Sequence, residues 1–119
     1  DRLLSRGLGD VYKRQIIGFP RNTNLACYKK YSNIDKLDCI TLDYNFPLDK
    51  INELNDKIVF QGNLDPKHLL KDSQNLSQKI EEILFAFRER PHIFNLGHGV
   101  LPETSIEKVE KMLLQIRST

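Results

Sequence analysis

The feature that most restricts the fold of this chain is a strand–loop–helix pattern that occurs four times in succession. Each unit starts with a short apolar run bounded by turn residues, which predicts a buried strand. The four runs cover residues 16–19, 37–42, 58–61 and 92–95. Because the runs are continuous rather than alternating with polar residues, they indicate a parallel sheet with covered faces. The sequence therefore predicts an α/β domain that is either half of an eight-stranded barrel or a small open sheet.

Helices are predicted between these strands. A short helix is expected over 25–31. Pro47 is expected in the first turn of a helix that continues to about Leu54, since that turn does not use the amide that proline lacks. A helical turn is expected over 66–70. The clearest helical pattern lies at 75–88, where one face carries Leu76, Ile80, Ile83, Leu84 and Phe87.

The last helix follows the loop after the fourth strand. Thr104 and Glu107 have the spacing of a capping box, in which each side chain bonds the other's backbone amide. An apolar stripe then predicts the buried face, and it consists of Ile106, Val109, Met112, Leu113 and Ile116. In the preceding loop, two glycines bracket His98. This histidine lies at the end of a strand, where α/β sheets and barrels bind their ligands.

Composition and charge limit the class of protein. The 119 residues form at most one domain, with 39% apolar and 29% charged residues, which is ordinary for a globular protein. A net charge of +2 argues against nucleic-acid and membrane partners, and no run is long and apolar enough to span a membrane. No signal-peptide pattern is present. The separated cysteines, Cys27 and Cys39, fit a reducing compartment, so a cytoplasmic protein is expected.

Residues 1–15 do not share the pattern of the rest of the chain. The stretch 10–15, Asp-Val-Tyr-Lys-Arg-Gln, resembles the translation of a sequencing-adapter end, and a stretch like 5–9 often accompanies it. We interpret 1–15 as a non-native, disordered segment and 16–119 as the folded domain. The alternative is a native N-terminal arm with little order.

Polar candidates follow the predicted strands at the point where each strand ends. A barrel gathers the carboxyl ends of its strands into one rim, so these side chains are expected to lie near one another. His98 is the first candidate for a binding role. The secondary rim candidates are Arg21, Asp43, Asn63 and Asn95, and Asp65 also follows the third strand.

Each candidate also has a structural interpretation. His98 can bind a ligand or can hydrogen-bond a loop carbonyl, and the pattern alone does not separate the two. Its flanking glycines either leave room for a ligand or provide φ > 0. A structural role is favoured for Asp65, as a helix cap, and for Asp43, as a residue that holds a neighbouring loop. Arg21 suits a carboxylate clamp, although a solvated surface arginine is the commoner case.

The sequence lacks the usual patterns of several other sites. His68 falls in a helical turn and His92 at a strand start, so both are weak candidates. The cysteines and histidines do not have the spacing of a zinc site. No glycine-rich phosphate loop and no nucleophile elbow is present. No metal ligand is therefore assigned.

Two motifs, at 61–66 (Gln-Gly-Asn-Leu-Asp-Pro) and 93–99 (Ile-Phe-Asn-Leu-Gly-His-Gly), carry a resemblance to a known family. With Leu-Pro-Glu-Thr at 101–104, they closely resemble the C-terminal part of uroporphyrinogen decarboxylase. The stretches 16–20 and 41–44 are also similar, although the family usually has Gly-Leu-Asp-Trp at the latter. The resemblance covers residues 16–119.

This resemblance implies a (β/α)8 TIM barrel and a homodimeric lyase of haem biosynthesis. The family decarboxylates the four acetate side chains of uroporphyrinogen III, giving coproporphyrinogen III, without a metal or organic cofactor. His98 matches the family's substrate-contacting histidine. Protonating a pyrrole makes the substrate its own electron sink, so the protein mainly supplies acid–base groups and carboxylate clamps.

The chain departs from the family pattern by what it lacks. The family's arginine-rich loop, central aspartate and site tyrosine belong to the first half of the barrel. We therefore expect a C-terminal half-barrel from a truncated gene, inactive by itself, with the general acid in the other half. The alternative is a cobalamin- or coenzyme M-dependent methyltransferase of the same superfamily. These bind zinc and tend to carry a cysteine-bearing loop in place of Gly-His-Gly. A third interpretation is a non-enzymatic module that pairs with a separate N-terminal half.

Overall fold

A parallel sheet of four short strands organises the chain. The computed structural model describes residues 15–118, so the segment interpreted as non-native lies, except for Gln15, outside the described residues. The strands are β1 (Ile17–Gly18), β2 (Cys39–Thr41), β3 (Val59–Leu64) and β4 (His92–Leu96). They pair in sequence order, and every pair is parallel. The predicted parallel α/β architecture is confirmed.

Three α-helices and two 3₁₀-helices connect these strands. The α-helices are α1 (Leu25–Ser32), α2 (Leu76–Ala86) and α3 (Ile106–Arg117). The 3₁₀-helices are η1 (Leu48–Glu53) and η2 (Pro66–Leu69). Helices follow strands throughout, so each crossover joins neighbouring parallel strands, as in a barrel. Within residues 15–118, no helix has both the length and the apolar character needed to cross a membrane.

The core lies between the sheet and the helices. Phe60 of β3 and Ile80 of α2 are both fully buried, and Ile40 of β2 and Leu42, which directly follows β2, extend the core. The stripe predicted for α2 is confirmed, because Leu76, Ile80, Ile83 and Phe87 are buried and Leu84 packs against them. The stripe predicted for α3 is only partly right. Val109, Met112 and Ile116 pack against the core, whereas Ile106 and Leu113 are exposed.

Two local predictions are wrong in their details. β3 continues through Leu64, although a loop was expected from Gly62, because its pairing with β4 extends to Leu64↔Leu96. Gly62 allows this with φ of +128°, and a Cβ there would lie 2.8 Å from the Leu42 carbonyl oxygen. The helix expected from Pro47 is the 3₁₀-helix η1, and extended Pro47 precedes it.

The capping box predicted for α3 is also wrong. Ser105 is the N-cap, and its hydroxyl accepts a hydrogen bond from the Lys108 amide at 3.4 Å. Thr104 instead donates its hydroxyl to the Leu101 carbonyl at 2.6 Å. An antiparallel bridge between Leu70 and Thr104 accounts for the shift, since it holds Thr104 extended and delays the start of the helix.

His92 is a structural residue at the start of β4. Its ring stacks on Phe87 with centroids 4.0 Å apart, and Nε2 donates to the Gly62 carbonyl. Burial lowers the pKa of His92 below its ordinary 6.5, against an opposing effect of the Gly62 bond. Burial also lowers the pKa of His68. Both rings therefore bind a proton more readily in the unfolded chain than in the folded one.

We expect the free energy of unfolding to fall as the pH drops below about 6.5, because protonation then favours the unfolded chain. Above that pH both states are neutral at His92 and the contribution is constant. Urea unfolding at about pH 5 and about pH 7.5 measures the difference. His92→Phe keeps a ring against Phe87 and removes the titration, so its stability should depend less on pH. An equal dependence in this variant would contradict the assignment.

Candidate functional site

The carboxyl ends of β2, β3 and β4 lie along one edge of the sheet. Asp43 follows β2 and is 1% exposed. Its carboxylate accepts hydrogen bonds from the amide of Asn22 at 3.1 Å and from that of Tyr44 at 2.8 Å. Asp43 thus ties the loop after β1 to the loop after β2. These contacts agree with the loop-holding interpretation.

Asn63 lies within β3, in register with Asn95 of β4. Its side-chain amide donates to the carbonyls of Asp43 at 3.1 Å and Phe46 at 3.3 Å. Asn63 is 4% exposed, and its Oδ1 has no hydrogen-bond partner among the residues that the structure describes. Asn63 therefore braces the loop after β2 from the neighbouring strand.

His98 is half-buried in the loop between β4 and α3. Its Nδ1 accepts a hydrogen bond from the Gly99 amide at 2.9 Å. The structural interpretation had the His98 ring bonding a loop carbonyl, whereas the partner found here is the Gly99 amide. Because Nδ1 accepts, the neutral ring carries its proton on Nε2. No hydrogen bond joins Nε2 to a residue in the described part of the chain, so this N–H can donate to a ligand oxygen.

The two glycines beside His98 have different roles. The suggestion that they provide φ > 0 is wrong, since Gly62 is the positive-φ glycine among residues 15–118. A Cβ on Gly97 would lie 2.3 Å from the Tyr44 amide nitrogen and 2.5 Å from the Tyr44 Cα. A Cβ on Gly99 would meet nothing within 4 Å. Gly97 thus permits the His98 loop to lie directly against the Tyr44 backbone, and Gly99 leaves open space.

A cleft of about 200 Å³ opens between these loops, and we call it the His98 cleft. The rings of Tyr44 and His98 meet edge-on across it, with centroids 6.4 Å apart. Its lining consists of Tyr44, Asp65, Pro66, Lys67, His98, Gly99 and Leu101. Aromatic and apolar surface thus adjoins an imidazole donor, the Lys67 side chain and the Asp65 carboxylate, one oxygen of which accepts from the Lys67 amide. This combination suits a ring-shaped apolar ligand that carries carboxylates.

The remaining candidates do not line the cleft, with the exception of Asp65. The Asp65 carboxylate accepts from the Lys67 amide at 3.0 Å and caps η2, as predicted. Arg21 is exposed on the loop after β1. Asn95 is exposed, and its Oδ1 accepts from the Leu96 amide at 2.8 Å. His68 lines a separate cleft of about 290 Å³, which Tyr44 also borders.

Tyr44 was not predicted as a site residue from the sequence, although it lies in the family-like stretch 41–44. An available indication was its position directly after Asp43, at the end of a strand, where an aromatic residue is free to point over the rim.

No group of three or more His, Cys, Asp or Glu side chains within residues 15–118 is placed to hold a metal ion.

Comparison with known proteins connects this geometry with a family. The family model described as "Uroporphyrinogen decarboxylase (URO-D)" matches residues 3–118. The chain belongs to the uroporphyrinogen decarboxylase family. Its four-stranded parallel sheet is accordingly part of a (β/α)8 TIM barrel. The match begins within residues 1–15, and the interpretation of that stretch as non-native stays a prediction.

Individual relatives agree with the family match. The chain is 42% identical over 106 residues to "Uroporphyrinogen decarboxylase" of Rickettsia canadensis (strain McKiel), covering 89% of this chain and 31% of the relative. The protein of the same name from Chelativorans sp. (strain BNC1) is 42% identical over 102 residues, covering 86% of this chain and 30% of the relative. The chain thus spans about a third of the length of these relatives. The methyltransferase alternative is not favoured.

Proposed function

We propose that this chain forms part of a carboxy-lyase that decarboxylates the acetate side chains of uroporphyrinogen to give coproporphyrinogen. The observation that supports this is the His98 cleft in a chain of this family, because a histidine whose Nδ1 is already bonded to the Gly99 amide lines the cleft together with aromatic and apolar residues. His98 donates to a substrate carboxylate or positions the ring. Arg21, Asp43, Asn63 and Asn95 are supporting rim residues rather than direct contacts.

The chemistry fits a protein that supplies donors and shape. Protonation of a pyrrole lets the electron pair of the breaking carbon–carbon bond flow into the ring as carbon dioxide leaves. The methylene carbon then takes up a proton and the pyrrole releases the one it gained, so each decarboxylation consumes one proton in total. We assign no general acid to residues 15–118 and propose no metal or organic cofactor. A cytoplasmic homodimer is proposed for the whole enzyme, with no nucleic-acid or membrane partner. By itself, the 119-residue chain is expected to release no carbon dioxide from uroporphyrinogen.

An exchange enzyme tests the proposal. In it, residues 16–118 of this chain replace the segment of the Rickettsia canadensis relative with which they align. We expect the exchange enzyme to form coproporphyrinogen, measured by chromatography of the oxidised porphyrins. An inactive exchange enzyme that is folded and of the same oligomeric state as the relative would overturn the proposal.

Replacing His98 with alanine in the exchange enzyme should lower kcat/KM by about 10- to 100-fold. A hydrogen bond to a carboxylate is worth about 1.5–3 kcal/mol, which gives that range. His68→Gln is the matched control, because His68 lies in η2 outside the His98 cleft, and it should stay within about twofold. Retention of activity by His98→Ala would remove His98 from the binding site.

A further inference from the structure

Tyr44 combines an exposed ring with a closely held backbone. Its side chain is 42% exposed and borders both the His98 cleft and the neighbouring cleft that contains His68. Exposed single aromatic residues are common on protein surfaces and need no explanation by themselves. Tyr44 differs because its ring faces the candidate binding histidine at 6.4 Å.

Three residues hold the backbone around Tyr44, namely Asp43, Gly97 and Asn63. The Asp43 carboxylate accepts a hydrogen bond from the Tyr44 amide. Gly97 packs so closely that a Cβ added to it would lie 2.3 Å from the same amide nitrogen. From β3, the Asn63 amide bonds the carbonyls of Asp43 and Phe46, which flank Tyr44 on either side. The segment is therefore fixed before any ligand arrives, as binding sites built on rigid elements require.

Asn63 buries a polar side-chain amide, which by itself destabilises the fold. Its Oδ1 has no partner among residues 15–118, and a buried polar atom without a partner lowers the stability of a fold. The compensation visible in the structure is the pair of bonds that place the Tyr44 segment. This is the arrangement expected where precise placement of a side chain matters more than stability.

We propose that Tyr44 is a specificity-determining residue that contacts a pyrrole ring opposite His98, and that Asn63 is the positioning residue that places it. The proposal rests on the proposed function. A flat aromatic ring contributes apolar area and edge or face contacts to a flat pyrrole, and few rotamers are lost because only two side-chain torsions are fixed. The expected effect is on substrate affinity rather than on the chemical step.

Steady-state kinetics of the exchange enzyme test this. Tyr44→Leu should raise KM for uroporphyrinogen about tenfold while kcat changes less than about threefold, whereas Tyr44→Phe and Tyr44→Trp should keep KM within about threefold. Phe85→Leu is the control, because Phe85 is a 66% exposed aromatic residue on α2 that lines neither cleft beside Tyr44. Its KM should be unchanged.

Asn63→Ala should raise KM in the same way, and combining it with Tyr44→Leu should add little further change, because Asn63 acts through Tyr44. A purely structural Asn63 would instead reduce the amount of folded enzyme and leave KM as it was, which would refute its positioning role. A normal KM in Tyr44→Leu, with His98→Ala impaired, would overturn this inference alone. An inactive unsubstituted exchange enzyme would overturn the proposed function and this inference together.

Discussion

Replacing Gly97 with alanine should destabilise the 119-residue chain by about 3 kcal/mol, near the upper end of overpacking substitutions. The added Cβ would lie 2.3 Å from the Tyr44 amide nitrogen and 2.5 Å from its Cα. These atoms are backbone, so no side-chain rotation relieves the clash. Moving the two loops apart would strain the hydrogen bond from the Gly97 amide to the Leu64 carbonyl, now 2.8 Å long. It would also strain the hydrogen bond from the Tyr44 amide to the Asp43 carboxylate.

Urea unfolding monitored by circular dichroism measures this loss. Gly99→Ala is a matched control two positions away, since its Cβ would meet nothing within 4 Å. That variant should remain within about 0.5 kcal/mol of the unsubstituted chain. Equal stabilities for the two alanine variants would show that the approach of Gly97 to Tyr44 is looser than the structure has it.

Replacing Phe60 with alanine should cost about 3–5 kcal/mol, because the side chain is fully buried and leaves a large cavity. Phe60 contacts the Phe87 ring at a centroid distance of 6.2 Å, and the Arg90 guanidinium lies 4.5 Å above it. Arg90 in turn donates to the carbonyls of Ile51 at 2.8 Å and Asn55 at 2.6 Å. Loss of the ring would therefore also loosen the connection between η1 and β3.

The same unfolding experiment applied to Phe85→Ala provides the control. Phe85 is 66% exposed, although the Arg88 guanidinium lies 3.8 Å from its ring centroid. An exposed cation–π contact is worth about 0.5–1 kcal/mol, so we expect a loss of that size. If both phenylalanine variants lost the same stability, the sheet–helix core described for β3 and α2 would be wrong.

Much of the fold could be predicted from local patterns. All four apolar runs are strands, and the helices over 25–31 and 75–88 were predicted to within a few residues. The failures have tertiary causes. Gly62, normally a strand breaker, stays in β3 because β4 pairs beside it. Thr104 has the composition of a cap but pairs with Leu70, so Ser105 takes that position.

Part of the site was also predictable from local patterns. His98 was found because glycines on both sides and a strand before it are visible in a single stretch. The role of Tyr44 was not found from the sequence. It depends on the His98 ring, which the parallel pairing of β2, β3 and β4 brings close to Tyr44. Asn63 was expected in a loop on the rim, and its bracing bonds appear only once β3 is placed beside the loop after β2.

The amino-acid sequence by itself therefore determined the order of strands and helices, the parallel class of the sheet and the position of His98 at a strand end. These follow from the spacing of apolar residues and from turn residues, which act between near neighbours. Only the tertiary structure decided that Gly97 must lack a side chain, that Asn63 braces the loop after β2, and that Tyr44 faces His98. Those relations join residues far apart in the chain, and packing and hydrogen bonding across the sheet create them.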